Sequence, residues 1–389
     1  MERFAERTSF RHTAASVTLD ALRGIAALLV LFDHTHNLFF VNFDTAAKAS
    51  SHPWLLSGLY AFGSAGAEVV VIFFVLSGYL ISSSVFRAVD QERWSWKDYL
   101  THRCVRLWLV LLPALLLCGV WDSARLALAV PAAGMSLPAR MAAAGLTWRI
   151  FLGNVFFLQT IRTSTFGSDR VLWSLAAEFW YYMLFPLGLF AIRRGTLTKR
   201  LLYGVGFVAV AVFITRGVFD LFPVWLCGTA LALVKPPKVG AAARWAATVA
   251  YVPVVFFLAA VSWPWHIFKM DYLLGILTGL FLWVMLSADQ RIDDRKVGVR
   301  VIRTLAGFSY SLYLVHYPFL AFWAAMLNHG VGWMPTWKTL GIAGFCSTCA
   351  IAYGYGVASV TEFRNDSVRR WVEYRFFGMP VARRAPVTP

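Results

Sequence analysis

Again and again this sequence runs apolar for close to 20 residues, the length at which an α-helix covers a hydrocarbon layer of about 30 Å. Backbone amides cannot go unpaired in lipid, so a chain built this way crosses the membrane as helices. The composition closes the alternative of a large water-soluble core. Hydrophobic residues make up 59% and charged residues only 14%, against about 45–50% and 25% in soluble domains. The expected fold is all-α, a polytopic bundle of about ten spans near 20–41, 66–86, 103–121, 171–192, 201–215, 217–234, 244–261, 271–287, 305–327 and 338–361.

The net charge of +16 would suit a nucleic-acid partner if the basic residues were not confined to alternate loops. Arg193, Arg194, Lys199 and Arg200 close one turn, and Arg291, Arg295, Lys296, Arg300 and Arg303 crowd another. Cytoplasmic loops collect Lys and Arg, so both termini are expected inside the cell, with lipid and no nucleic acid as partner. No removable signal peptide is read at the N-terminus, and the first span is expected to serve as its own insertion signal. The chain divides into a cytoplasmic segment 1–19, a membrane domain 20–362 and a basic tail 363–389. The tail near Arg383 to Pro389 reads as disordered. The longest outer loop, 122–170, holds an apolar stretch from Ile150 to Gln159 that is too short to span and should lie at the interface or re-enter. The five cysteines are an odd set, most of them within apolar runs, and read as packing residues; Cys346 and Cys349 lack a second ligand pair, so no metal is expected.

An ionisable group inside a span costs roughly 2.5–3.5 kcal/mol and therefore asks for a partner or a task. In the first span Arg23 and His34 stand eleven residues apart, on one face and about 16 Å apart in depth. Asp20 is a candidate ion-pair partner of Arg23. Asp33 and His36 point away from the His34 face and are expected in structural or outer-surface roles. In the fourth span Ser174, Glu178 and Tyr182 form a polar stripe at i, i+4, i+8 beside Trp173, and Glu178 is expected at the depth of His34. His316 lies mid-span near Pro318, where an interhelical hydrogen bond and a site role are equal readings. Glu68 sits near the outer end of the second span, solvated or in the site.

Five separated motifs now bring in a resemblance. They are Leu19-Asp20-Ala21-Leu22-Arg23-Gly24 with His34, Phe73-Phe74-Val75-Leu76-Ser77-Gly78-Tyr79-Leu80, Arg103 with Arg106, Trp173-Ser174-Leu175 with Glu178, and Ser309-Tyr310-Ser311-Leu312-Tyr313-Leu314 with His316 and Pro318. In series they resemble the bacterial membrane acyltransferase-3 family. The resemblance implies a ten-helix core in the bacterial inner membrane, with acetyl-CoA or another acyl-CoA as a cytoplasmic co-substrate and no permanently bound cofactor. It implies as acceptor a hydroxyl on a glycan, glycolipid or other sugar-containing molecule. Ala21 stands where relatives carry Gly. Some relatives have an appended hydrolase-like domain, so a separate extracytoplasmic partner is one way to complete the pathway. In this reading His34 and Glu178 are catalytic, His34 as general base and Glu178 as the group that orients it or, equally, binds the sugar. Arg23, Arg103 and Arg106 hold the donor phosphates, although Arg103 and Arg106 serve equally as membrane-surface anchors. Trp173, Ser174, Tyr182, Ser77, His316 and Glu68 bind substrate or support the site. The competing class is a transporter or flippase of a sugar or lipid-linked substrate, whose buried charges line a path.

Overall fold

The computed structural model describes residues 12–50, 52–128, 143–193, 195–262 and 268–377. Among them there is no β-strand, only isolated bridges. In chain order the helices are α1 Ala14–Phe39, α2 Phe43–Lys48, α3 Pro53–Phe62, α4 Gly66–Asp90, α5 Trp96–Leu128, α6 Trp148–Val155, α7 Leu172–Ile192, α8 Leu197–Phe213, α9 Arg216–Phe219, α10 Phe222–Leu231, α11 Ala241–Ser262, α12 Phe268–Met285, α13 Val297–Asn328, α14 Trp337–Val360 and α15 Asn365–Phe377.

Each expected span falls on a helix, but not every helix is long enough to cross. Seven candidate spans exist among the described residues: Ala14–Phe39, Glu68–Asp90, Trp96–Leu128, Leu172–Ile192, Ala241–Ala260, Val297–Asn328 and Trp337–Phe377. The expected fifth and sixth spans meet instead at a bend of 120° between α8 and the α9–α10 segment. At 10 residues, α10 reaches only about 15 Å, half of the hydrocarbon layer. Met270–Met285 is likewise a shorter apolar helix. Among the described residues seven helices, or eight if the bent pair crosses once, are long and apolar enough to span, so the expected count of ten is not confirmed. Hydropathy registers a 120° break only weakly, because apolar residues continue on both sides of it.

Several helices also run past their apolar windows. In α5 the C-terminal extension carries the buried pair Arg125 and Asp122, 3.3 Å apart. The expected outer loop thus begins as helix, and its residues 129–142 lie outside the described set. Ile150 to Gln159 comprises the end of α6 and a buried turn: Phe157 is fully buried and stacks on Phe179 at 4.3 Å, while Trp108 Nε1 donates to the Val155 carbonyl at 2.8 Å. This segment tucks between α5 and α7. Past Glu362 a 3-10 turn, Glu362–Arg364, leads into α15, a helix that the expected tail did not include. The expected disordered stretch near Arg383 lies outside the described residues.

The basic loops gather at one end of the bundle. Ala14 and Ala15 donate backbone hydrogen bonds to Gln290 and Ala288, both at 2.9 Å, and Arg303 pairs with Asp294 at 2.8 Å. Central to the fold is α13, buried along much of its length from Phe308 to Ala321 and packed on α1, α5 and α14. The tightest crossing joins α4 to α10, where Gly78 lies on the Trp225 carbonyl and Gly228 on the Val75 carbonyl. Ser82 and Thr229 hydroxyls add a 2.7 Å hydrogen bond beside it. Small residues of this kind let two membrane helices approach at backbone distance.

That crossing is testable. A Cβ at Gly78 or Gly228 meets backbone, which cannot rotate away, so Gly78→Ala and Gly228→Ala should each destabilise by about 1–3 kcal/mol. The expected result is a lower midpoint in thermal unfolding of the detergent-solubilised protein. Gly341→Ala, with nothing within 4 Å of the added carbon, should leave it unchanged; an equal midpoint for all three would contradict the crossing.

Candidate active site

Two polar sites are built around α13, and one tyrosine joins them. The first is a cavity enclosing about 920 Å³ with its mouth included, bounded by α1, α4, α5, α7 and α13. Its cations are Arg23, Arg103 and Arg106. Arg23 donates to the Ala306 carbonyl at 2.6 Å and lies 3.8 Å from Asp20, so the expected i, i+3 pair exists and still leaves Arg23 on the wall. Arg103 donates to Ser84 Oγ at 3.1 Å and lies over the Tyr182 ring at 5.7 Å. Arg106 has no hydrogen bond or ion pair to a described residue, and its side chain opens into the cavity. Glu178, Glu362, Tyr182 and Tyr310 surround it electrostatically. Glu362 is anchored by the Ser311 amide and hydroxyl, each at 3.0 Å.

Ser174, Glu178 and Tyr182 all line this cavity, as their shared helix face requires. Glu178 Oε1 accepts from the Ser77 hydroxyl at 3.1 Å and from the Tyr182 hydroxyl. Ser77 Oγ in turn accepts from Trp225 Nε1 at 3.2 Å. Trp173 stands off the cavity, edge-on to Phe74 at 6.1 Å.

The second site is a histidine pair between α1 and α13. His34 Nδ1 and His316 Nε2 are 2.8 Å apart, with the rings stacked at 5.1 Å, and Tyr317 presents an edge to His34 at 4.9 Å. The expected pairing of His34 with Glu178 is not formed. Counting residues from a helix end fixes depth but not direction: α1 turns His34 toward α13, and α7 turns Glu178 toward α4 and the arginines. The carboxylate near His34 is its neighbour Asp33, whose Oδ2 lies 3.8 Å from Nε2. Asp33 is buried against the backbone of Gly66 and is not part of the outer surface. Glu68, expected solvated or in the site, is buried as well, in electrostatic range of Asp33. His36 packs edge-on to Tyr60 at 4.4 Å, away from the pair.

A carbonyl can only accept, so the 2.9 Å contact of His316 Nδ1 with the Leu312 carbonyl places the His316 proton on Nδ1. His316 is fully buried, a setting that a neutral ring suits best. Its Nε2 is then an acceptor, His34 Nδ1–H donates to it, and His34 Nε2 keeps a free lone pair. The arrangement supplies one oriented base.

Tyr313 connects the two sites. Its hydroxyl is 2.8 Å from Ser174 Oγ on the cavity wall, its ring meets Phe73 at 5.8 Å, and its centroid lies 6.2 Å from that of His316. The cavity therefore runs from three guanidiniums to a hydroxyl pair, with the imidazoles immediately behind. Such a layout suits a long donor with an anionic head and a reactive far end.

The sequence profile of the Acyltransferase domain family matches residues 17–356. The chain belongs to the acyltransferase-3 family. It is an acyltransferase, carried on several apolar helices as a multi-pass membrane protein. No curated protein and no solved structure matches the chain.

Sequence reasoning did not select Asp33, Tyr310, Tyr313 or Glu362 for the site. Tyr310 and Tyr313 sit inside the quoted ninth-span motif at i and i+3, which was a usable signal. Glu362 was hidden by its place at the end of the last apolar run.

The tautomer chain predicts a spectroscopic result. With ¹⁵N-histidine labelling and His34→Ala for assignment, His34 Nδ1 should resonate as a protonated nitrogen and Nε2 as an unprotonated one. The reverse pattern would contradict the chain of hydrogen bonds from Leu312.

Proposed function

We propose that this acyltransferase moves an acetyl or other short acyl group from a cytoplasmic acyl-CoA to a hydroxyl of a cell-envelope glycan, glycolipid or other sugar-containing acceptor, in a bacterial inner membrane. The observation that carries the reading is the arginine-lined cavity that ends at Tyr313 and Ser174, against the His34–His316 pair. The end of the bundle that gathers the basic loops is the cytoplasmic one in this reading.

The donor's phosphates lie among Arg23, Arg103 and Arg106. Guanidinium is always charged and binds phosphate in a two-pronged fashion. Against these three cations the cavity wall sets Glu178, with Glu362 in electrostatic range of Arg106, so an incoming polyanion meets an unbalanced positive wall. The pantetheine arm follows the cavity inward. Along α1 the distance from Arg23 to His34 is about 16 Å, a span that an extended arm covers.

At the far end His34 Nε2 takes the proton of the acceptor hydroxyl as its oxygen attacks the thioester carbonyl. Ser174 donates to the Val171 carbonyl at 3.1 Å, so the one proton that can turn to charge developing on the carbonyl oxygen is that of the Tyr313 hydroxyl, now on Ser174 Oγ. Collapse re-forms the carbonyl and breaks the carbon–sulfur bond, and the proton held by His34 passes to the departing thiolate. The ester and free CoA are the products. His316 is a positioning residue that fixes the ring and tautomer of His34. Asp33 lies close enough to Nε2 to stabilise the imidazolium that forms in between, the part that the sequence reading gave to Glu178. Glu178 holds Tyr182 and Ser77 and balances the cavity arginines.

Purified protein should release CoA from acetyl-CoA only when an acceptor is present, whereas a transporter moves its substrate with no thioester consumed. His34→Ala should abolish release while leaving the protein folded. Arg106→Gln should raise KM for the donor by about tenfold or more, the worth of a charged hydrogen bond, with little change in kcat. Full activity in His34→Ala would remove the histidine from the chemistry. Mass spectrometry of envelope glycans from cells with and without the gene should differ by one acyl group.

A further inference from the structure

The arginine cavity contains a hydrogen-bond acceptor that no described residue uses. Glu178 lines it together with Arg23, Arg103 and Arg106, and the hydroxyls of Ser77 and Tyr182 both donate to the same carboxylate oxygen, Oε1. Ser77 Oγ itself accepts from Trp225 Nε1 at 3.2 Å, which turns the serine proton toward Glu178. The carboxylate is thereby clamped by one oxygen. Its other oxygen, Oε2, takes no hydrogen bond from a described residue and is not sealed in the packing, so it opens into the cavity. Arg103 and Arg106 are in electrostatic range of Glu178 without bonding to it.

A carboxylate oxygen only accepts, so what Oε2 recognises is an N–H or O–H of the ligand. The height of Glu178 on α7 selects which one. It stands four residues from Ser174, which with Tyr313 marks the far end of the cavity, and four residues from Tyr182, which lies against Arg103. Four residues of helix rise about 6 Å. In a coenzyme A thioester a sulfur and two methylenes separate the acyl carbonyl carbon from the nearest amide nitrogen, about 5 Å when extended. We infer that Glu178 Oε2 accepts the hydrogen bond of that amide, the cysteamine N–H, and so selects donors whose acyl group is carried on a pantetheine arm. This rests on the reading of the cavity as the acyl-CoA site and adds to it a specificity residue and the register of the arm. The arginines read phosphates, which any nucleotide offers; an acceptor set at one amide reads the arm itself. A site built to bind an N–H rejects the analogue that lacks it, since its own polar group is then left unpaired.

The test is isothermal titration of the full-length protein in lipid nanodiscs with no acceptor present. The probes are acetyl-CoA, its isostere with oxygen in place of the cysteamine N–H, and the isostere with oxygen at the second amide of the arm. The cysteamine isostere should bind about tenfold or more weaker than acetyl-CoA, the loss of a hydrogen bond to a charged group, and the other isostere within about twofold of it. Glu178→Gln reverses the logic. The Ser77 and Tyr182 hydroxyls hold the amide oxygen where Oε1 stood, so the NH2 group takes the place of Oε2 and donates. In that variant, with its folding checked by a thermal midpoint, the cysteamine isostere should bind as well as acetyl-CoA or better. If Glu178 only balances the arginines, the variant shifts all three probes together and the native ratio stands, which overturns the inference. Equal binding of acetyl-CoA and the cysteamine isostere by the native protein, or a loss confined to the second amide, overturns it without any variant. No binding of acetyl-CoA at all marks a different failure, that of the donor reading, and removes the inference with it.

Discussion

A hydrogen bond between two buried imidazoles, His34 on α1 and His316 on α13, organises the centre of this protein. Inside a bilayer a polar group without a partner is costly, so each ring is held by the other and the pair is held by the Leu312 carbonyl. The bond does two things at once. It ties the first helix to the most buried helix of the bundle, and it decides which nitrogen of His34 is left basic. Everything that acts on His34 must then come to Nε2, the side where Asp33 waits.

Electrostatics divides the rest of the interior into two regions. Toward the basic end, Arg23, Arg103 and Arg106 line a cavity with Glu178, while Glu362 lies in electrostatic range of Arg106, an excess of positive charge that suits a polyanion. Beyond Tyr313 the fixed charges near the pair are Asp33, Glu68 and Arg170, an environment suited to uncharged hydroxyls. Tyr313 stands at the boundary with its hydroxyl on Ser174. The packing of α4 on α10 through Gly78 and Gly228 holds Ser77 and Trp225 in place behind Glu178.

The sequence made the membrane character, the helix positions and the cavity arginines readable, because each follows from periodicity or from the cost of burying charge. Ser174, Glu178 and Tyr182 share a wall because i, i+4, i+8 spacing leaves no other arrangement. Partnership across helices was less accessible. His34 and Glu178 match in depth, but the azimuth of each helix is set by packing, and α1 faces α13 through Gly24, on which Leu305 rests. The 120° bend before α10 was invisible for a related reason: hydropathy averages over direction. Asp33 was set aside because it points off the His34 face at Cα, while its side chain reaches back to the neighbouring ring.

The most direct measurement is a structure of the protein bound to a thioether analogue of acetyl-CoA, which has the shape of the donor but cannot transfer its acyl group. The account predicts phosphates among Arg23, Arg103 and Arg106, the arm along the Ser174–Glu178–Tyr182 face, and the acyl carbonyl beside Tyr313 within reach of an alcohol on His34 Nε2. An analogue seated with its carbonyl remote from His34, or its phosphates away from those arginines, would contradict it.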